Sequence, residues 1–139
     1  MKWFQYSLLA AFFLALVALT AKYVLNKGVK VPVLLFYALF SGTIIAAAYL
    51  FFTKQPLKLE ALPLAVIIAL IAFSLIGNYF YFTAVSVAPN PGYVTAVLGM
   101  ETGIVALASI LLFKSEITPI KGFGMLLAVL GIALLAWKS

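Results

Sequence analysis

The chain contains no cysteine and no histidine, and its only charged residues are nine Lys and three Glu, so arginine and aspartate are absent too. Without cysteine there is no disulfide framework, and nothing in the sequence speaks to redox compartment. Without Cys or His no thiolate–imidazole metal site can be assembled, and Ser-His-Asp and Cys-His nucleophile arrangements are excluded. Three glutamates leave little material for acid–base chemistry. The inventory therefore argues against an enzyme, and it calls for no cofactor and no metal. Charge of either sign is scarce as well. Charged residues make up 9% of the 139, against roughly 25% in ordinary globular domains, too few to coat a water-soluble fold.

What fills the chain is apolar. Hydrophobic residues account for 67%, against roughly 45–50% in ordinary proteins, and the mean hydropathy is +1.25. Lipid is the solvent this composition suits. The net charge of +6 raises a nucleic-acid partner, but position argues against one. Basic binding surfaces cluster their charges on one face. Here the lysines stand singly or in pairs between long apolar runs, where phospholipid headgroups would meet them.

The uncharged stretches can be measured against a bilayer core that takes about 20 residues of helix. Residues 3–21 lie between Lys2 and Lys22, and residues 31–53 between Lys30 and Lys54. The next uncharged stretch, 61–100, is too long for one crossing. It breaks at Ser86-Val87-Ala88-Pro89-Asn90-Pro91-Gly92, where two prolines and a glycine end one helix and begin another. The spacing predicts five transmembrane helices at about 3–25, 31–53, 61–84, 91–113 and 118–137. Pro119 falls in the first turn of the last helix, where its missing N–H costs nothing, and Lys121 can snorkel to the interface. Trp3, Trp137 and several tyrosines fall near span ends, as interfacial anchors do. Lys2 followed by an apolar run also has the look of a secretory signal, but the run is long and the Ala18-Leu19-Thr20-Ala21 region lacks a small-x-small site. An uncleaved first span is expected.

Five crossings put the two termini on opposite sides. With the N-terminus inside, Lys2, Lys54, Lys58, Lys114 and Lys121 lie inside, and Lys22, Lys27, Lys30 and Lys138 lie outside. Orientation follows the Lys/Arg asymmetry of short loops, and five against four is almost no instruction. Dual topology, and with it an antiparallel homodimer, is the expectation. Many transporters consist of two inverted repeats with the substrate site at their interface. A lone five-helix unit of undecided orientation reads as one such repeat, half of a ten-helix inverted-repeat assembly.

From the third span onward the residues carry a family likeness. The aromatic run Asn78-Tyr79-Phe80-Tyr81-Phe82-Thr83-Ala84 is followed by small residues, and the fourth span ends in Leu112-Phe113-Lys114-Ser115-Glu116. The last span holds Lys121-Gly122 and Gly131-Ile132-Ala133-Leu134. This pattern resembles the EamA-type unit of the drug/metabolite transporter superfamily, with Glu116 in the place of its interfacial glutamate and Gly122 and Gly131 in the places of its last-helix glycines. The first two spans match by hydropathy alone. Members with two fused units have ten helices; this chain is similar to the short single-unit members. It departs from the pattern at Leu19-Thr20-Ala21-Lys22, where a Trp-Gly pair is common, and in the fourth span, where Glu101 stands close to the position of a usual proline.

Glu101 is the sharpest functional signal. It lies ten residues into the fourth span, and the nearest charge in sequence is Lys114. An acidic residue at the bilayer centre costs several kcal/mol and usually faces a cavity or a partner. Low dielectric favours a neutral carboxyl, which makes Glu101 a candidate proton or cation site; a purely structural hydrogen bond is the alternative. In a continuous helix Thr95, Gly99 and Gly103 form a small-residue packing seam, and Glu101 points away from it. Ser74, Gly77, Asn78 and Tyr81 recur at helical spacing on one face of the third span, and a polar strip in lipid must face protein or water. Ser74, Asn78 and Tyr81 are candidate cavity-lining residues, and the resemblance adds that the first, third and fourth helices border the central cavity. Lys22 sits one turn from the end of the first span, where snorkelling and a pairing with Glu101 are both open. Gly124 and Gly131 suit tight helix packing within or between chains.

These residues together describe a multi-pass protein of the cytoplasmic (inner) membrane. It would move a small metabolite or drug-like compound by alternating access as a dimer, with proton coupling through Glu101. The alternative is a non-transporting membrane subunit that pairs with a different five-helix chain.

Overall fold

The computed structural model describes residues 2–116 and 118–136, all helix and short connections. Trp137 and Lys138, expected as an anchor and a flanking charge, lie outside the described residues, as does the side chain of Trp3. The helices are α1 (Lys2–Asn26), α2 (Val31–Thr53), α3 (Ala61–Val87), α4 (Pro91–Leu98), α5 (Glu101–Phe113) and α6 (Pro119–Ala136). Four stretches are long and apolar enough to cross a membrane: Phe4–Asn26, Val31–Thr53, Ala61–Val87, and Pro91–Phe113, which α4 and α5 share. In α6 the apolar part, Pro119–Leu134, is shorter.

Local chemistry sets the boundaries. α1 stops where the N–H groups of Lys27 and Gly28 turn back to the carbonyls of Val24 and Leu25, at 3.1 and 3.0 Å. Gly28 has φ +87°, a left-handed conformation that glycine adopts without a Cβ penalty. Pro32 lies in the first turn of α2, where no N–H is missed. α3 runs three residues past the expected end and stops at Val87, because Pro89 cannot extend it. Asn90 caps α4, its Oδ1 accepting the N–H of Gly92 at 2.8 Å. The Thr118 carbonyl accepts the N–H groups of Lys121 and Gly122, both at 3.0 Å, which starts α6.

The chain divides into two compact units, α1–α3 and α4–α6. In the first, α3 packs against both α1 and α2. Among the described residues its buried side chains are Ala18 and Ala21 of α1 and Phe82 and Val85 of α3; Val85 is fully enclosed. α2 buries none of its residues. In the second unit α6 meets both α4 and α5, and Ile132 is its buried residue among those described. Surfaces this apolar and this exposed belong in lipid or against another protein.

Several hydroxyls inside the spans are satisfied within their own helix. Thr20, Ser41, Thr43 and Thr83 donate to the carbonyls four residues back, of Leu16, Tyr37, Leu39 and Tyr79, at 2.7–2.8 Å. This back-bonding lets a polar side chain enter hydrocarbon without an unpaired donor.

Candidate transport site

Lys22 has a definite structural place. Its Nζ donates to the carbonyls of Val85 at 3.0 Å and Ser86 at 3.1 Å. The last carbonyls of a helix lack intrahelical partners and carry the negative end of its dipole. A lysine one turn from the end of α1 thus ties α1 to the C-terminus of α3, beside the buried Ala18, Ala21, Phe82 and Val85. Snorkelling predicted an ammonium directed at headgroups. The tie to α3 is the arrangement found, because two lone carbonyl acceptors lie within its reach.

The polar strip of α3 is drawn together in part. Asn78 Nδ2 donates to the Ser74 carbonyl at 2.8 Å and to Ser74 Oγ at 3.2 Å. Ser74 and Gly77 are exposed, while Asn78 and Tyr81 are half-buried. The Tyr81 ring lies 5.0 Å from that of Phe82, at a tilt of 47°. A Cβ added at Gly77 would meet nothing within 4 Å, so the strip keeps an open face at its middle.

The fourth span differs from the continuous helix that its hydropathy suggests. α4 ends at Leu98 and α5 begins at Glu101, with Gly99 and Met100 between. Glu101 is therefore the first residue of a helix that starts in mid-span, about 15 Å from Pro91 at 1.5 Å per residue. Its side chain is exposed. Among the described residues its carboxylate has no hydrogen-bond or ion-pair partner. In hydrocarbon such a group costs several kcal/mol unless water, protein or ligand meets it. Interrupted membrane helices are tolerated where they line a cavity or a protein contact.

The interruption also changes the expected packing seam. Thr95 and Gly103 no longer share one helical register. Thr95 Oγ1 turns to the carbonyls of Gly92 at 2.9 Å and Pro91 at 3.4 Å. Gly99 is the crowded member of the set, with Ile132 Cδ1 3.6 Å from the position a Cβ would take. Added Cβ atoms at Gly103, Gly124 and Gly131 would meet nothing within 4 Å, so among the described residues their small surfaces are unused. The sequence signal for the interruption was Gly99, a glycine in mid-span two residues before the acid, which a reading as seam alone passed over.

Four long apolar stretches, polar groups folded back on their own helices and an interrupted span with a carboxylate at the break define a multi-pass helical membrane protein. The model of the EamA-like transporter family matches residues 1–137. The chain belongs to that family, a family of drug/metabolite-type membrane transporters. The match covers the first two helices, which by sequence had only their hydropathy to speak for them. Neither the curated proteins nor the solved structures compared with the chain give a match.

Proposed function

We propose that this chain is one half of a small-molecule transporter of the inner membrane, with its five apolar segments forming a single domain. Two copies, inserted antiparallel, enclose a central site and alternate its access, so that a ten-helix inverted-repeat architecture is made from two chains. The observation that carries this reading is the interruption of the fourth span at Glu101. A carboxylate at mid-span is stable in a bilayer when water, substrate or the second copy meets it.

Glu101 holds a proton or the cationic group of a substrate, and Ser74, Asn78 and Tyr81 line the route. The Ser74–Asn78 bonds use Asn78 Nδ2 and leave its side-chain Oδ1 as an acceptor toward the path. Lys22 serves the site indirectly, by holding α1 against the end of α3. The small faces at Gly103, Gly124 and Gly131, open among the described residues, receive helices of the second copy.

The test is flux in proteoliposomes under an imposed proton gradient, with a panel of small metabolites and drug-like cations. Glu101→Gln keeps the shape of the side chain and removes its charge. The variant should fold and insert normally, lose gradient-driven flux and keep at most passive exchange. A well-folded variant with unchanged flux and pH profile would remove Glu101 from the mechanism. A chain that moves nothing alone but does so with a second five-helix protein would instead support a heteromeric subunit.

A further inference from the structure

The two residues that divide α4 from α5 have not left helical space. Gly99 has φ −55°, ψ −16° and Met100 has φ −61°, ψ −26°. Such ψ values, well short of the roughly −42° of an α-helix, belong to a 3₁₀ turn. The hydrogen bonds agree. Gly99 N–H donates to the Ala96 carbonyl and Met100 N–H to Val97, both at 3.0 Å; Thr102 N–H donates to Gly99 and Gly103 N–H to Met100, both at 3.1 Å. Each of these spans three residues instead of four. In a continuous α-helix the same four N–H groups would donate to Thr95, Ala96, Leu98 and Gly99. Rotations of a few tens of degrees at two residues separate the two arrangements.

One residue makes the interrupted form available. A Cβ on Gly99 would stand 2.9 Å from the Ala96 carbonyl oxygen, too close for a carbon and an oxygen of fixed backbone. Alanine is at ease in the α-helical turn, being the best helix former. Gly103, in the same span, has open space where its Cβ would go, so it carries no such preference.

We infer that Gly99–Met100 is a hinge on which the fourth span passes between this 3₁₀ form and a continuous α-helix. A 3₁₀ turn advances about 120° per residue and an α-turn about 100°, so closing two residues rotates α5 against α4 by about 40°. At a side-chain radius of about 5–6 Å, that rotation moves the Glu101 carboxylate by about 4 Å. The same step moves the N–H groups of residues 99, 100, 102 and 103 from the carbonyls three residues back to those four back. α6 meets the hinge through Ile132, whose side chain is the flexible one of the contact. The inference concerns the backbone and holds whether or not Glu101 couples transport.

The composition makes the test clean, because the protein has three glutamates and no aspartate. Full-length protein labelled with ¹⁵N-glutamate in lipid nanodiscs gives three labelled backbone amides, and Glu101→Gln identifies the one at the hinge. In the unaltered protein the Glu101 amide should broaden or divide between two positions, with temperature-dependent populations. Gly99→Ala should move it to a single shift, that of the continuous α-helical form, and Gly103→Ala should leave it as it was. A single, sharp Glu101 amide resonance at all temperatures in the unaltered protein overturns the hinge, and so does a Gly99→Ala shift no different from that of Gly103→Ala. The first of these needs no variant, so a Gly99→Ala protein that folds poorly does not protect the idea.

Discussion

Replacing Lys22 by methionine tests whether this residue is a tie between helices or a ligand for substrate. Methionine keeps the length and apolar stem of the side chain and deletes the ammonium that donates to the Val85 and Ser86 carbonyls. A hydrogen bond with a charged donor contributes about 1.5–3 kcal/mol in soluble proteins, whereas interhelical bonds inside membranes average about 0.6 kcal/mol. Lys22 is part-buried and near a span end, so its environment lies between these cases. Two bonds, with the attraction of a cation to a helix C-terminus worth about 0.3–1 kcal/mol, give an expected loss of about 2 kcal/mol. That is roughly a 30-fold shift in the unfolding equilibrium at about 1.4 kcal/mol per decade. Denaturant titration in mixed micelles, followed by circular dichroism, measures it. Lys27→Met is the comparison, since Lys27 Nζ lies over the Tyr23 ring at 5.4 Å, a contact worth about 0.5–1 kcal/mol when exposed. Lys22→Arg should recover part of the loss. If Lys22→Met destabilises no more than Lys27→Met and still abolishes flux, the tie is not the role of Lys22, and a ligand role takes its place.

Three further expectations rest on separate observations. Removal of the Asn90 cap by Asn90→Ala should cost about 1 kcal/mol and raise hydrogen exchange at Gly92 and Tyr93, with exchange farther along, in α5, unchanged; protection at Gly92 equal to that of the parent chain would show the cap to be idle. Asn78→Leu should lower flux with little change in folded yield if the α3 strip lines the route, whereas a more stable protein with full flux would place that face against lipid. Reporter tags at the C-terminus should find both orientations in one membrane, given the five-to-four lysine count, and two added lysines on one side should bias insertion and reduce activity; a single orientation of the unaltered chain would refute dual topology.

The connection at residues 88–90 was legible because proline and glycine act on the backbone locally, whatever surrounds them. The same holds for the solvent. Crossing a bilayer depends on apolar residues added over about 20 positions, and that sum is visible in one dimension. Glu101 stood out for the same reason, as an ionisable residue inside such a sum. What hydropathy could not register is the form of the fourth span, because replacing α-turns by 3₁₀ turns at Gly99 and Met100 changes hydrogen bonding without changing composition. Nor could spacing reveal which glycine is crowded. Thr95, Gly99 and Gly103 recur at equal intervals, yet Gly99 is the one whose Cβ position lies against both Ala96 and Ile132. Lys22 shows the limit most directly. Its flanking residues describe a lysine at a membrane edge, and its acceptors lie 63 and 64 residues further along the chain. Only the packing of α1 on α3 brings the ammonium to carbonyls that a helix end leaves unpaired.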